Sequence, residues 1–129
     1  MIVILGFYKR RSDLTWEEFS LHWRTTHASL LRNTPDIARY ITRYVQHHIR
    51  PNDLSPNAAS LEFDGISETW FESLKAREEL LQQPALRTVM LPDEERFLDM
   101  LATRVSMLDY QAVQIGEEIK IPEHDGGKL

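Results

Sequence analysis

The chain opens with a segment that is apolar on both sides of a predicted strand. Residues 1–9 place Ile2, Ile4 and Tyr8 on one side and Val3, Leu5 and Phe7 on the other. Such a strand is expected to be covered on both faces. Three cations follow at 9–11, whereas a signal peptide carries its cations before the apolar run, so we interpret the segment as a strand.

A helix is predicted to begin at Thr15 and to end in the segment 33–35. Thr15 and Glu18 have the spacing of a capping box, in which each side chain bonds the other residue's backbone amide. The spacing of one helical face is shared by Phe19, Trp23, His27 and Leu30. This face is expected to pack against the sheet.

Two more strands are predicted, at 37–49 and 61–71, joined by a polar loop at 50–59. The later strand is expected to bend near Gly65. In the earlier strand, alternation puts Ile41, Arg43, Val45, His47 and Ile49 on one side and Tyr40, Thr42, Tyr44, Gln46 and His48 on the other.

The sequence pattern of the second half predicts two helices followed by a strand. A helix is expected over 72–89, with a break near Pro84. A short helix begins at Pro92, where proline and the acidic cluster Asp93–Glu95 suit a first turn. The last strand is predicted over 103–115.

The order is therefore βαββαβ, which predicts an α+β, ferredoxin-like fold with two helices on one face of an antiparallel sheet. The first strand is apolar on both sides, so the other face needs a cover. A second copy related by two-fold symmetry would supply it and form a dimeric α+β barrel. Residues 1–115 are predicted to be the domain and 116–129 a C-terminal tail.

Composition excludes several classes of function. The 129 residues include no cysteine, which excludes disulfides, thiolate metal sites and a cysteine nucleophile. The net charge is −5 with no basic face, so nucleic acid is not an expected partner. No apolar run reaches the roughly 20 residues of a membrane span, and a cytoplasmic protein is expected.

Polar side chains on the second strand are the first candidates for a binding site. Tyr40, Tyr44, Gln46 and His48 are predicted to face away from the helices, on the surface that the second copy would enclose. There they would line a ligand-sized chamber between the copies. The alternative is that the tyrosines pack with their hydroxyls reaching water.

Histidines supply the candidate acid–base chemistry. His27 lies near a helix C-terminus, and it is either a catalyst or a packed, hydrogen-bonded residue. His22 lies five residues earlier, about 140° around an α-helix, and His47 and His48 point to opposite faces of a strand. Neither pair is expected to bind a metal. Trp70 and the acids at 93–95 have structural explanations, as core and as a helix start.

An ordered series of short motifs resembles the EthD-like family. It runs from Lys9-Arg10-Arg11 through Asp13-Leu14-Thr15, Glu18-Phe19, His22-Trp23, His27-Ala28, Arg39-Tyr40, Asp64-Gly65, Trp70-Phe71 and Asp93-Glu94 to Phe97-Leu98-Asp99. The resemblance implies the dimeric α+β barrel. The family includes proteins linked to ether degradation and fungal polyketide dehydratases and decarboxylases.

A more distant similarity, to methylmuconolactone methylisomerase, implies roles for three positions. The pocket histidine of that enzyme corresponds to His27, its tyrosine to Tyr40 and its cysteine to Thr69. Threonine cannot replace a thiol acid/base, which puts isomerisation of that type in doubt.

The leading hypothesis is a cofactor-independent lyase or isomerase that acts on a small oxygenated cyclic or aromatic metabolite. His27 would be the general acid/base and Tyr40 the hydrogen-bond donor to a developing oxyanion. The substrate would contact Trp23, Tyr44, His48, Thr69 and Trp70. Two alternatives are a non-catalytic small-molecule binder of an oxidative degradation pathway and a monooxygenase-like barrel.

Overall fold

The computed structural model describes residues 1–50, 61–109 and 111–117, so most of the predicted loop 50–59 and tail 116–129 lies outside the described residues. Its four strands are β1 Ile2–Tyr8, β2 Ile41–His48, β3 Gly65–Phe71 and β4 Arg104–Met107. They form one antiparallel sheet in the order β2-β3-β1-β4. The α+β, ferredoxin-like prediction is confirmed.

The first helical segment is continuous but changes its winding. It consists of α1 Trp16–His22, a π turn Trp23–His27 and α2 Ala28–Arg32. The Thr15 hydroxyl accepts from the amide of Glu18 at 3.1 Å, and the Glu18 carboxylate accepts from the amide of Thr15 at 2.9 Å. The capping-box prediction is confirmed.

The prediction that a strand begins at residue 37 is wrong. Residues Pro35–Ala38 form a short helix, α3, in which the proline occupies the first turn. Ile37 is 2% exposed and packs in the core from that helix. Its apolar character reflects this burial, and the strand begins only at Ile41.

The predicted boundaries in the second half also change. The helix expected over 72–89 is α4 Leu74–Leu81, followed by a π turn Leu86–Met90 that continues into α5 Leu91–Phe97. The π turn ends two residues before Pro92, whose ring cannot pack against the carbonyl group four residues earlier in an α-helix. Strand β3 starts four residues later than predicted, and β4 has only four residues.

Helices cover one face of the sheet. Ile2, Ile4 and Phe71 join a core cluster with Ile37 and Leu80, while Phe19, Trp23, Phe97 and Leu98 form a second cluster. The opposite face carries Val3, Leu5, Phe7, Val45, Ile66 and Trp70. No helix in the described ranges is long and apolar enough to cross a membrane.

The predicted orientation of β2 is wrong. Tyr44, Gln46 and His48 face the helices, because they pair with the helix-facing residues of β3. A register shift between Ile41 and Arg43 explains the error, since this bulge moves Ile41 to the face opposite Arg43. The isoleucine therefore joins the tyrosine side of the strand.

Candidate active site

A cavity of about 190 Å³ lies within one chain, between the helices and the sheet. Its polar lining consists of Tyr8, His27, Tyr44, Ser67, Thr69, Arg77 and Glu94. The rest is largely apolar and includes Ile4, Leu31, Phe71, Leu80 and Met90. Tyr44, which was predicted to line a chamber between two copies, lines this cavity within one chain instead.

Gly6 keeps the floor of the cavity open. A Cβ atom at this position would lie 2.4 Å from Ser67 Oγ and 2.7 Å from the ring of Tyr8. Both distances are too short for a side chain. Glycine therefore leaves room above β1 for the Ser67 hydroxyl and the Tyr8 ring.

Asp93 is the electrostatic centre of the site. Its side chain is fully buried, and it accepts hydrogen bonds from His27 Nδ1 at 2.8 Å and His22 Nε2 at 2.9 Å. Arg96 adds a contact of 3.3 Å. Burial raises the pKa of Asp93, but the hydrogen bonds from the two histidines outweigh burial and lower it. The carboxylate is therefore ionised.

The π turn brings the two histidines to one carboxylate, although α-helical geometry, from which we predicted that they do not bind one metal together, would place them apart. The expected angle of about 140° holds for an α-helix. In the π turn Trp23–His27 the winding is wider, and residues five apart lie on the same side. Among the described residues, no group of three or more histidines and carboxylates has the geometry of a metal site.

The bond to Asp93 determines the tautomer of His27. An ionised carboxylate only accepts, so Nδ1 carries the proton and Nε2 keeps a lone pair. Burial lowers the pKa of His27, and the opposing influence of Asp93 is smaller. The ring is therefore neutral near pH 7. Since it lines the cavity, Nε2 is suited to remove a proton there.

Glu94 places a carboxylic acid in the same cavity wall. Burial, with a contribution from the charge of Asp93, raises its pKa to about 7. This group is therefore available as a proton donor near neutral pH. Two ionisable groups tuned to different roles are typical of acid–base catalysis.

Tyr44 has a hydroxyl group whose orientation is set by its neighbours. It accepts from Trp23 Nε1 at 3.1 Å and, more weakly, from Gln46 Nε2 at 3.5 Å. Both lone pairs are thus engaged, and the O–H is left to donate. Because Tyr44 lines the cavity, that donor is available to a bound molecule.

Gln46 and His48 form the shell behind this tyrosine. Gln46 Nε2 donates to the carbonyl of Trp23 at 2.9 Å, and its Oε1 is 2.8 Å from His48 Nε2. His48 Nδ1 lies 2.7 Å from Ser20 Oγ, and the imidazole stacks on Trp23 with ring centroids 4.5 Å apart. His48 and Trp23 therefore support Tyr44 from behind and are not part of the cavity lining.

The structure separates the other predicted site residues. Thr69 lines the cavity, whereas Trp70 lies on the opposite face of the sheet and donates to Glu68. Tyr40 precedes β2 and accepts from Arg39 at 2.9 Å and Gln83 at 3.1 Å, away from the cavity lining.

Asp93 and Glu94 are functional candidates that the sequence interpretation missed. Both were assigned to a helix start, and the pattern Pro-Asp-Glu-Glu does suit one. Nothing in that pattern distinguishes the carboxylates that point inward from Glu95, which is exposed. Tyr8 was missed as well, because alternation marks it only as a residue of the covered face.

Comparisons with known proteins agree with this architecture. Residues 11–101 match the family model described as the EthD domain. An EthD family protein from Bacillus halodurans C-125 has a TM-score of 0.62 at 15% identity, over 86% of this chain and 100% of that one. A search of the curated proteins gave no match.

Two further solved structures share the fold. A dimeric protein of unknown function and ferredoxin-like fold from Bacteroides fragilis has a TM-score of 0.55 at 11% identity, over 84% of this chain and 95% of that one. SnoaB, a cofactor-independent oxygenase from Streptomyces nogalater, has a TM-score of 0.53 at 11% identity, with coverages of 88% and 95%.

Proposed function

The chain belongs to the EthD domain family, and on that premise we propose that it is a cofactor-independent lyase or isomerase of small oxygenated ring compounds. The observation that carries this proposal is the 2.8 Å bond that joins His27, which lines the cavity, to buried Asp93, which does not. It provides a neutral imidazole with a free Nε2 where a substrate would lie.

Three side chains divide the proton chemistry. His27 Nε2 removes a proton from a carbon next to a carbonyl group. The Tyr44 hydroxyl donates to the enolate oxygen as its charge develops. Glu94, protonated because of its raised pKa, gives a proton either to a departing hydroxyl, which leaves as water, or to a second carbon, which isomerises the ring.

The size of the cavity supports a single-ring substrate. At about 190 Å³ it is smaller than the roughly 300–1,000 Å³ of pockets for drug-sized ligands. It is comparable with an apolar cavity of about 150 Å³ that accepts benzene. A six-membered ring with one or two oxygen substituents is the expected occupant.

Two variants test the role of His27. His27→Asn keeps an amide N–H where Nδ1 bonds Asp93 but deletes Nε2. His22→Gln is the matched control, because its amide replaces the bonding Nε2 at the same carboxylate. A panel of cyclic hydroxyketones, unsaturated lactones and hydroxybenzoates is incubated with each protein, and products are identified by mass spectrometry.

Wild-type protein should convert at least one compound, with loss of water, loss of CO₂ or unchanged mass. Turnover should fall roughly 10²–10⁴-fold in His27→Asn and stay near wild type in His22→Gln. Equal losses in the two variants would mean that the histidines only hold Asp93. Binding without any conversion would favour the alternative, a non-catalytic binder.

A second candidate activity is cofactor-independent oxygenation, favoured by the fold shared with SnoaB. The same base would deprotonate a hydroquinone, whose ring carbon then adds O₂; the hydroperoxide formed loses water and leaves one oxygen atom in a hydroxyquinone. Adding hydroquinones to the panel and measuring O₂ consumption separates this activity, since its product gains oxygen.

The assembly proposed for this function is a homodimer formed through the open sheet face. That face carries half-buried Leu5, Phe7, Val45 and Ile66 beside Glu68, which is ion-paired with Arg43 and His47. A structural neighbour is dimeric. Val45→Lys should produce monomers in sedimentation analysis, whereas Leu21→Lys, on an exposed helix surface, should leave the dimer unchanged. A wild-type monomer at micromolar concentration would exclude this assembly.

A further inference from the structure

We propose that the substrate carries a carboxylate and that Arg77 binds it, an inference that rests on the proposed function. Arg77 lies on α4 and lines the cavity together with Leu80 and Leu81. Its side chain is half-buried on the apolar side of that helix. No carboxylate among the described residues forms an ion pair with it.

An unpaired guanidinium in such a place favours an anionic ligand. Arginine stays charged at any pH the protein meets, and a charge next to apolar groups is unfavourable without a partner. The guanidinium presents two parallel N–H donors, which match the two oxygens of a carboxylate. The neighbouring cation of the helix, Lys75, is already paired with Glu79.

Arg77 reaches the cavity from a different element than the proton-transfer groups do. It enters from α4, whereas His27 and Glu94 enter from the π turn and from α5. A carboxylate held by Arg77 would therefore be bound by a different element from those that carry the base and the acid.

A pair of probes tests the charge of the ligand. Benzoate and benzamide have the same ring and nearly the same shape, but only benzoate is an anion. Calorimetric titration of the full-length protein should show roughly 10- to 100-fold tighter binding of benzoate, the range expected for a charged hydrogen bond. Arg77→Gln should abolish this preference, and Arg77→Lys should restore it only in part.

Arg87→Gln is the matched control, because it removes an equal charge from an exposed position outside the cavity lining. It should keep the preference for benzoate. The proposal is overturned if wild type binds both probes equally, fails to bind benzoate at millimolar concentration, or loses the preference equally in both arginine variants.

The preference for benzoate over benzamide does not depend on catalysis. His27→Asn should still prefer benzoate, whatever its turnover. If no compound of the panel is converted but benzoate binding depends on Arg77, the proposed reaction fails and the anion site stands. If turnover is found but benzoate shows no preference, the site assignment alone fails.

Discussion

His22 and His27 bond opposite oxygens of the same buried carboxylate, although five residues separate them along the chain. Asp93 is thereby held from two sides, and its Oδ2 fixes the tautomer of His27. The arrangement joins the first helical segment to α5 and at the same time prepares Nε2 for proton transfer. Structural support and chemistry depend on one side chain.

Replacing Asp93 should therefore affect the chemistry more than substrate binding. In Asp93→Asn the amide can donate to Nδ1 of His27, which moves the ring proton to Nε2 and removes the base. We expect kcat to fall roughly 10²–10⁴-fold with little change in KM. ¹⁵N NMR of the imidazole should report the change of tautomer.

Glu95→Gln serves as the control, since Glu95 lies on the same helix but is exposed. An Asp93→Asn protein with wild-type turnover would show that the tautomer is unimportant.

Tyr44 and Tyr40 can be compared directly by deleting each hydroxyl. Tyr44→Phe should lower kcat roughly 10²–10³-fold, as expected for loss of one donor to an oxyanion. Tyr40→Phe should leave turnover nearly unchanged, because its hydroxyl bonds Arg39 and Gln83. A larger loss in Tyr40→Phe would support the role that the resemblance to methylmuconolactone methylisomerase implies.

Glu94 should make stability depend on pH. Its pKa is about 7 in the folded protein, against 4.5 for an ordinary glutamate. Between these values the folded state keeps a proton that the unfolded chain releases, so stability falls as pH rises, and the full penalty applies above pH 7. Glu94→Gln removes the penalty, which amounts to at most roughly 3 kcal/mol.

The measurement is urea unfolding of both proteins at about pH 5 and about pH 8. The advantage of Glu94→Gln should grow with pH. The pKa of His27 is lowered, so this residue makes stability rise with pH in both proteins. The informative quantity is therefore the difference in unfolding free energy between wild type and Glu94→Gln at each pH. A difference that is independent of pH would contradict the raised pKa.

Gly65 should be intolerant of a side chain because of Trp23. A Cβ atom there would lie 2.4 Å from Cζ3 and 3.0 Å from Cη2 of the indole. Gly65→Ala should cost roughly 1–3 kcal/mol of unfolding free energy, measured with urea. Phenylalanine lacks both atoms, so the cost should shrink in a Trp23→Phe background. Additive effects would show that the contact is not the cause.

Sequence patterns predicted the fold better than the site. The capping box at Thr15 and the alternation within β1 depend on neighbouring residues, and the structure confirms both. The bulge before Arg43 is a tertiary feature, and it reversed the predicted face of β2.

The site itself depends on helix winding and on distant packing. An α-helical wheel separates His22 from His27, and only the π turn brings them together. Which acid of 93–95 turns inward depends on where α5 docks. His27, Tyr44 and Thr69 were predicted as site residues, and all three line the cavity. The sequence pattern does not reveal Asp93, which fixes the histidine tautomer, or the buried acid Glu94.

The π turn also links the first helical segment to the sheet. It is equivalent to an α-helix that has gained one residue, and without the gain the two histidines would be four apart, about 40° around the helix. They would then still share a side. What the additional residue contributes is the widened turn, whose Trp23 carbonyl accepts from both Ala28 and Gln46. The insertion is therefore better understood as a tether between helix and sheet.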